Sequence, residues 1–221
     1  MINSRYWENE GANKKFTHEL NPDWLKDVHL DAWILDFGCG YGRVSKQLHE
    51  MGYTKTIGYD PSRSMISRAV KENPGPVYTF RKEDILKQKY SLVVCFSLFT
   101  SCPEPENQME IKNIIEKQTA SQACLYISDY LTVENAHYAA RYEQKKLGIY
   151  GCFGSEEAAV FRHHEPCHFP QLFSAWEQLS KETRAGKTLN GNEINITQFF
   201  YQKGLSPTRS SRILAGHCQV G

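Results

Sequence analysis

A parallel-sheet α/β fold is predicted by three features of this chain. Short apolar runs rich in β-branched and aromatic residues alternate with helix-like stretches from about residue 33 onward, as expected of strands buried on both faces and covered by helices. One of these runs, "WILDFGCGYGR" at 33–43, passes straight into a glycine-rich loop. The next ends in Asp60, an acidic residue placed about 20 positions beyond such a loop, where α/β nucleotide folds hold a ribose.

The elements follow in order. Strands are predicted at about 33–37, 55–59, 77–80, 91–96 and 123–128, with two more candidates at 183–189 and 194–202. In "GRVSKQLHEMG" Val44 and Leu48 share a helical face, and the closing glycine suits a left-handed cap. In "DPSRSMISRAV" Asp60 can cap, Pro61 suits the first turn, and Met65, Ile66, Ala69 and Val70 form an apolar stripe. "ENQMEIKNIIEKQ" offers Ile111, Ile114 and Ile115. A helix is read from "TVENAHYAARYEQKK", a turn-rich insertion from residues 147–169, and a further helix from "PQLFSAWEQLSKE".

Composition narrows the class. At 221 residues, 40% hydrophobic and 23% charged, the chain can bury a full core, and one domain over 1–203 is expected, with 204–221 as a loose tail. No apolar run approaches the roughly 20 residues of a membrane span, and "MINSRYWENE" lacks the features of a signal peptide. A cytoplasmic protein with no membrane partner is therefore expected. A net charge of +1 leaves no footprint for nucleic acid. Seven cysteines without a C-x-x-C pair suggest neither a disulfide framework nor a zinc ribbon, so no metal is expected.

A strand running into Gly38-Cys39-Gly40-Tyr41-Gly42 and then a helix brings backbone N–H groups and a positive helix end toward a ligand, and side chains there would block the approach. With Asp60 following, that ligand should contain adenosine. Asp36 reads as the carboxylate that holds the loop's N–H groups.

On these residues the chain resembles the class I S-adenosylmethionine-dependent methyltransferases. "ILDFGCGYGR" is similar to their first motif, and "IGYDPSRSMISRA" to their second. The resemblance implies a Rossmann-like three-layer sandwich with a mixed seven-stranded sheet whose last strand is antiparallel. It also implies an N-terminal helical cap (1–30) and an insertion after the fifth strand (148–170). The cofactor implied is S-adenosylmethionine, with S-adenosylhomocysteine as product. Asp36, Gly38, Cys39, Gly40, Tyr41 and Arg43 would lie at the loop, with Asp60, Pro61 and Met65 around the ribose. "RKEDI" resembles the position where Asp84 would meet the adenine amino group and Ile85 the ring. "YSLVVCFSLFTSCP" would set Phe96, Ser97 and Leu98 near the methionine part. Tyr90-Ser91 departs from the aspartate that opens this strand in many members.

Methyl transfer requires an aligned acceptor, excluded water and a base wherever the acceptor carries a proton. Candidates are Asp129 and Tyr130 at the end of the fifth strand, and His163 or His164 within "FRHHEPCH". Three other readings of that cluster stand beside the base: a metal site, a structural knot, and a lid hinged at Gly148, Gly151 and Gly154. Aromatic residues of the first thirty either cover the sheet edge or face the cofactor or a planar substrate. The expected partner is a small-molecule acceptor methylated at oxygen or nitrogen, and the chain is a monomer or homodimer. The alternatives are other chemistry on the same cofactor, and a cofactor-binding partner protein without turnover. An NAD-linked dehydrogenase is the remaining rival, disfavoured by the Gly-Cys-Gly form.

Overall fold

The computed structural model describes residues 2–204 except 10, 16–17, 135 and 188–192. The tail expected from residue 204 onward lies almost wholly outside the described residues. Nine strands are described: β1 (Ile34–Phe37), β2 (Thr56–Tyr59), β3 (Val77–Thr79), β4 (Tyr90–Phe96), β5 (Thr119–Tyr130), β6 (Cys152–Gly154), β7 (Val160–Arg162), β8 (Trp176–Lys187) and β9 (Glu193–Lys203). The α-helices are α1 (Ser4–Glu8), α2 (Arg43–Glu50), α3 (Arg63–Glu72), α4 (Lys82–Ile85), α5 (Leu98–Ser101), α6 (Pro105–Gln118), α7 (Ala136–Tyr142) and α8 (His168–Leu172).

Seven strands form one sheet in the order β3-β2-β1-β4-β5-β9-β8. β1 to β5 are mutually parallel, β9 runs antiparallel to both of its neighbours, and β6 and β7 make a separate hairpin. The order reverses at β1 and β4, and ligands of open α/β sheets bind at the carboxyl edge beside such a switch. Alternation sends Leu35 and Phe37 of β1 into one core layer, with Val93, Leu125 and Phe199, while Ile34 joins the other with Val44, Leu48 and Tyr126. Both faces are thereby covered, as a parallel sheet requires.

Two local expectations are corrected. The cap of α3 is Ser62, whose Oγ accepts from Met65 N at 3.1 Å; Asp60 instead holds Ser62 N at 2.9 Å. The helix expected from "PQLFSAWEQLSKE" stops early. α8 ends at Leu172, and from Trp176 the chain becomes edge strand β8, paired with β9 from Trp176↔Lys203 to Lys187↔Glu193. Polar residues at an exposed sheet edge imitate the polar face of a helix, which hides the strand period.

The insertion after β5 carries α7, the β6–β7 hairpin and α8, and it grips the N-terminal segment. The Asn3 side chain donates to Val160 O at 2.6 Å and accepts from Val160 N at 2.9 Å, Lys14 pairs with Glu157 at 2.6 Å, and Tyr6 meets Phe161 edge-on at 5.8 Å. Among the described residues no helix is long and apolar enough to cross a membrane.

Candidate active site

A cavity of about 210 Å³ opens at the carboxyl ends of β1, β2 and β4. Its wall draws on several parts of the chain. The loop after β1 contributes Asp36, Gly38, Cys39, Gly40, Tyr41 and Arg43; β2 and α3 contribute Asp60, Pro61 and Met65; the end of β4 contributes Phe96, Ser97 and Leu98. Twelve of the fourteen residues expected at a cofactor therefore meet around one space. The N-terminal segment adds Asn3, Ser4, Trp7, Glu8 and His18, and α6 adds Asn107, Glu110, Ile111 and Ile114.

The loop uses its glycines differently from the expectation. Gly38 N and Cys39 N both donate to Tyr59 O, at 2.8 and 2.9 Å, and Gly40 N donates to Asp60 Oδ2 at 3.0 Å. These N–H groups bind the loop to the end of β2 and are not free for a ligand. What glycine supplies is the left-handed backbone, φ 77° at Gly38, and room, since a Cβ there would sit 2.7 Å from Leu98 Cδ1. The clamp on the loop is thus Asp60. Asp36, expected in that role, takes a 2.6 Å bond from Ser45 Oγ on α2.

Electrostatics mark both carboxyls. Burial raises Asp36 to about 6 against the Ser45 hydrogen bond, and raises Asp60 to about 6 against the bonds from Ser62 and Gly40. A carboxylate kept at a buried strand end with two backbone donors, and open on its cavity side, can accept further hydroxyl donors. Arg43 is largely buried with no partner for its Nε. Ser97 holds φ 55° directly after β4, a conformation costly outside glycine that recurs at functional sites. Glu8 closes the rim by accepting from Arg63 N at 2.7 Å and Ser64 N at 3.2 Å.

Asp84 and Ile85 stand outside the cavity. The α4 turn carries Asp84 to Thr79 Oγ1 at 2.8 Å and Lys87 Nζ at 2.6 Å, and Ile85 is fully buried in the core; Lys82 lines the cavity from this turn instead.

The four expected catalytic residues are also placed elsewhere. Asp129 is fully buried and accepts from Phe99 N, Thr100 N and Tyr130 N at 3.0, 3.2 and 2.8 Å, so it fixes the α5 turn; burial raises it to about 7 against those bonds. His163 lies in an aromatic cluster with Nδ1 2.8 Å from Tyr142 Oη, and burial lowers it to about 3. His164 Nε2 and His168 Nε2 converge on the Gln108 amide at 3.0 and 2.9 Å. His163 and His164 both stand in packing and network contacts at the carboxyl end of β5, where Leu131 bridges His164, and neither lines the cavity. Among the described residues no group of three or more His, Cys, Asp or Glu could hold a metal ion. No residue of 148–170 lines the cavity. Gly151 is a tight contact against the His163 carbonyl and not a loose hinge.

Tyr130 is the exception, because its hydroxyl lies 2.8 Å from Nε2 of His18, which does line the cavity. His18 was missed by sequence reasoning. It is one histidine in "KKFTHEL" with no periodic or motif context, and long-range packing alone brings it to β5.

Comparison with known proteins supports the fold and one domain-level match. Residues 34–117 match the family model described as a methyltransferase domain. No curated protein sequence matches. Among solved structures, a SAM-dependent methyltransferase from Methanosarcina mazei is 22% identical with a TM-score of 0.75, covering 86% of this chain and 100% of that one. Magnesium protoporphyrin IX methyltransferase from Synechocystis, solved with bound S-adenosylhomocysteine, is 15% identical with a TM-score of 0.66, covering 92% and 98%. A Burkholderia thailandensis 1,6-didemethyltoxoflavin-N1-methyltransferase is 9% identical with a TM-score of 0.64, covering 91% and 84%. The chain shares the Rossmann-like fold of these S-adenosylmethionine-dependent methyltransferases, and its residues 34–117 are similar to a methyltransferase domain.

Proposed function

We propose that this protein transfers a methyl group from S-adenosylmethionine to an oxygen or nitrogen of a small molecule, leaving S-adenosylhomocysteine. The observation that carries the reading is the cavity itself: a glycine loop locked by Asp60, at the switch point of the sheet, roofed by the N-terminal segment. Asp60 keeps acceptor positions toward the cavity and suits the paired hydroxyls of a ribose. Met65 and the isoleucines of α6 offer apolar surface to an adenine ring. Arg43, with its unpartnered Nε, suits the carboxylate of the methionine part. The cofactor supplies an activated sulfonium methyl; the chain's task is to orient the acceptor and keep water out.

The enclosed, mixed-polarity wall suits an acceptor of modest size. Residues 1–203 are read as one catalytic unit working as a monomer or homodimer in the cytoplasm. The test is incubation with S-adenosylmethionine and a panel of phenols, catechols and heteroaromatic amines, following S-adenosylhomocysteine and the mass of each acceptor. Gain of one methyl group on an acceptor, matched by S-adenosylhomocysteine, is expected. Release of other fragments of the cofactor would replace methyl transfer with cleavage or cyclisation.

A further inference from the structure

His18 is a buried imidazole in the cavity wall, with no ion pair to an acidic side chain. Asp36 bonds Ser45, Asp60 clamps the loop, Glu8 caps α3, and Glu110 pairs with Lys82 at 2.8 Å. The His18 ring, by contrast, meets three hydroxyls: Nδ1 lies 3.0 Å from Ser128 Oγ, and Nε2 lies 2.8 Å from Tyr130 Oη and 3.4 Å from Ser97 Oγ. Gln198 Nε2 donates to Ser128 Oγ at 3.3 Å and to Glu19 O at 2.7 Å, which anchors the far side of the ring. Ser97 and Phe96 join His18 in the cavity wall at the end of β4.

We propose that His18 Nε2 is the proton acceptor of the transfer reaction, a catalytic residue supplied by the N-terminal segment. This inference rests on the cofactor reading above. As the acceptor's oxygen or nitrogen bonds to the methyl carbon, the electron pair of the breaking carbon–sulfur bond stays on sulfur. The acceptor's proton passes to Nε2, with Nδ1–H donating to Ser128 Oγ. One positive charge enters the cavity on the sulfonium and one remains on the imidazolium, so the buried site never changes its net charge. Burial and nearby Arg43 lower His18 to about 3, which keeps a lone pair on the ring before reaction. The proton leaves to water as the products are released.

The experiment needs no knowledge of the acceptor. Sinefungin carries an amine on carbon where S-adenosylmethionine carries its methyl on sulfur, so the amine reports on whatever faces the transferred group. Calorimetric affinities for sinefungin and S-adenosylhomocysteine are compared in the wild type and in His18→Asn, whose short amide keeps the Ser128 contact but removes the Nε2 lone pair. Selective loss of sinefungin affinity by about tenfold, with S-adenosylhomocysteine held within about twofold, is expected. Equal effects on both ligands, or none, would overturn the assignment. Should His18→Asn not fold, a wild-type crystal structure with sinefungin decides: the amine within about 3.5 Å of Nε2, directly or through one water, supports it, and an amine beyond that reach refutes it. Failure of the wild type to bind either ligand would instead remove the cofactor reading.

Discussion

Two histidines flank one tyrosine and have opposite surroundings. The Tyr130 ring stacks on His163 at 5.3 Å and meets His18 edge-on at 5.0 Å. Burial lowers both histidines to about 3. His163 sees the aromatic rings of Tyr138, Tyr142 and Phe153, whereas His18 sees three hydroxyls and a cavity. Burial and a shifted pKa are therefore shared by a core residue and a site residue; what separates them is the open cavity beside His18.

The largest expected effect falls on the core side. His163→Ala removes a ring packed among aromatic residues and should cost about 2–4 kcal/mol of stability by denaturant unfolding, while leaving S-adenosylhomocysteine affinity unchanged. A fall in affinity at intact stability would move His163 into the site. Next is Asp60→Ala, which should weaken S-adenosylhomocysteine binding by roughly 1–3 kcal/mol, because it deletes a charged acceptor and loosens Gly40. Unchanged affinity would end the ribose assignment.

A pH comparison sharpens the contrast further. The folded-state pKa of His163 is depressed to about 3 from the ordinary 6.5. Above pH 6.5 neither the folded nor the unfolded state is protonated there, and the group costs nothing. Below it the unfolded chain binds a proton that the folded one refuses, so stability is lost as pH falls, by about 2 kcal/mol at pH 5. His163→Phe abolishes that term. Thermal midpoints of wild type and variant should thus converge or cross in the variant's favour between pH 7 and 5; parallel curves would contradict the neutral, buried ring. The smallest expected effect is at Asp84, which is outside the cavity and pairs with the buried Thr79 hydroxyl and the exposed Lys87. Asp84→Ala should change ligand affinity by no more than about twofold, and a larger loss in calorimetry would return Asp84 to the adenine.

How much was legible in the sequence follows the range of the forces involved. The glycine loop, Asp60 and the β4 turn are local patterns in which residue type, spacing and backbone conformation are tied together, and all three line the cavity. The position of Asp84 was not legible because one short turn, α4, decides which side of the chain faces inward. The first half of β8, up to Glu182, read as helix because Glu177, Lys181 and Glu182 sit at a sheet edge as they would on a helix face, whereas the strand expected from 183 matches its second half. His18 was invisible for a deeper reason: its partners Ser128 and Tyr130 lie more than a hundred positions away. The "RHH" cluster attracted attention through density of chemistry-bearing residues, yet the hairpin that carries it braces the N-terminal segment through Asn3 and Glu157 and never reaches the cavity wall.

The central claim is that the space above the Asp60-locked loop receives S-adenosylmethionine. Calorimetric titration with S-adenosylhomocysteine, with NADH as control, tests it most directly. The account predicts saturable micromolar binding of S-adenosylhomocysteine alone, weakened in Asp60→Ala; binding of NADH, or of neither ligand, would contradict it.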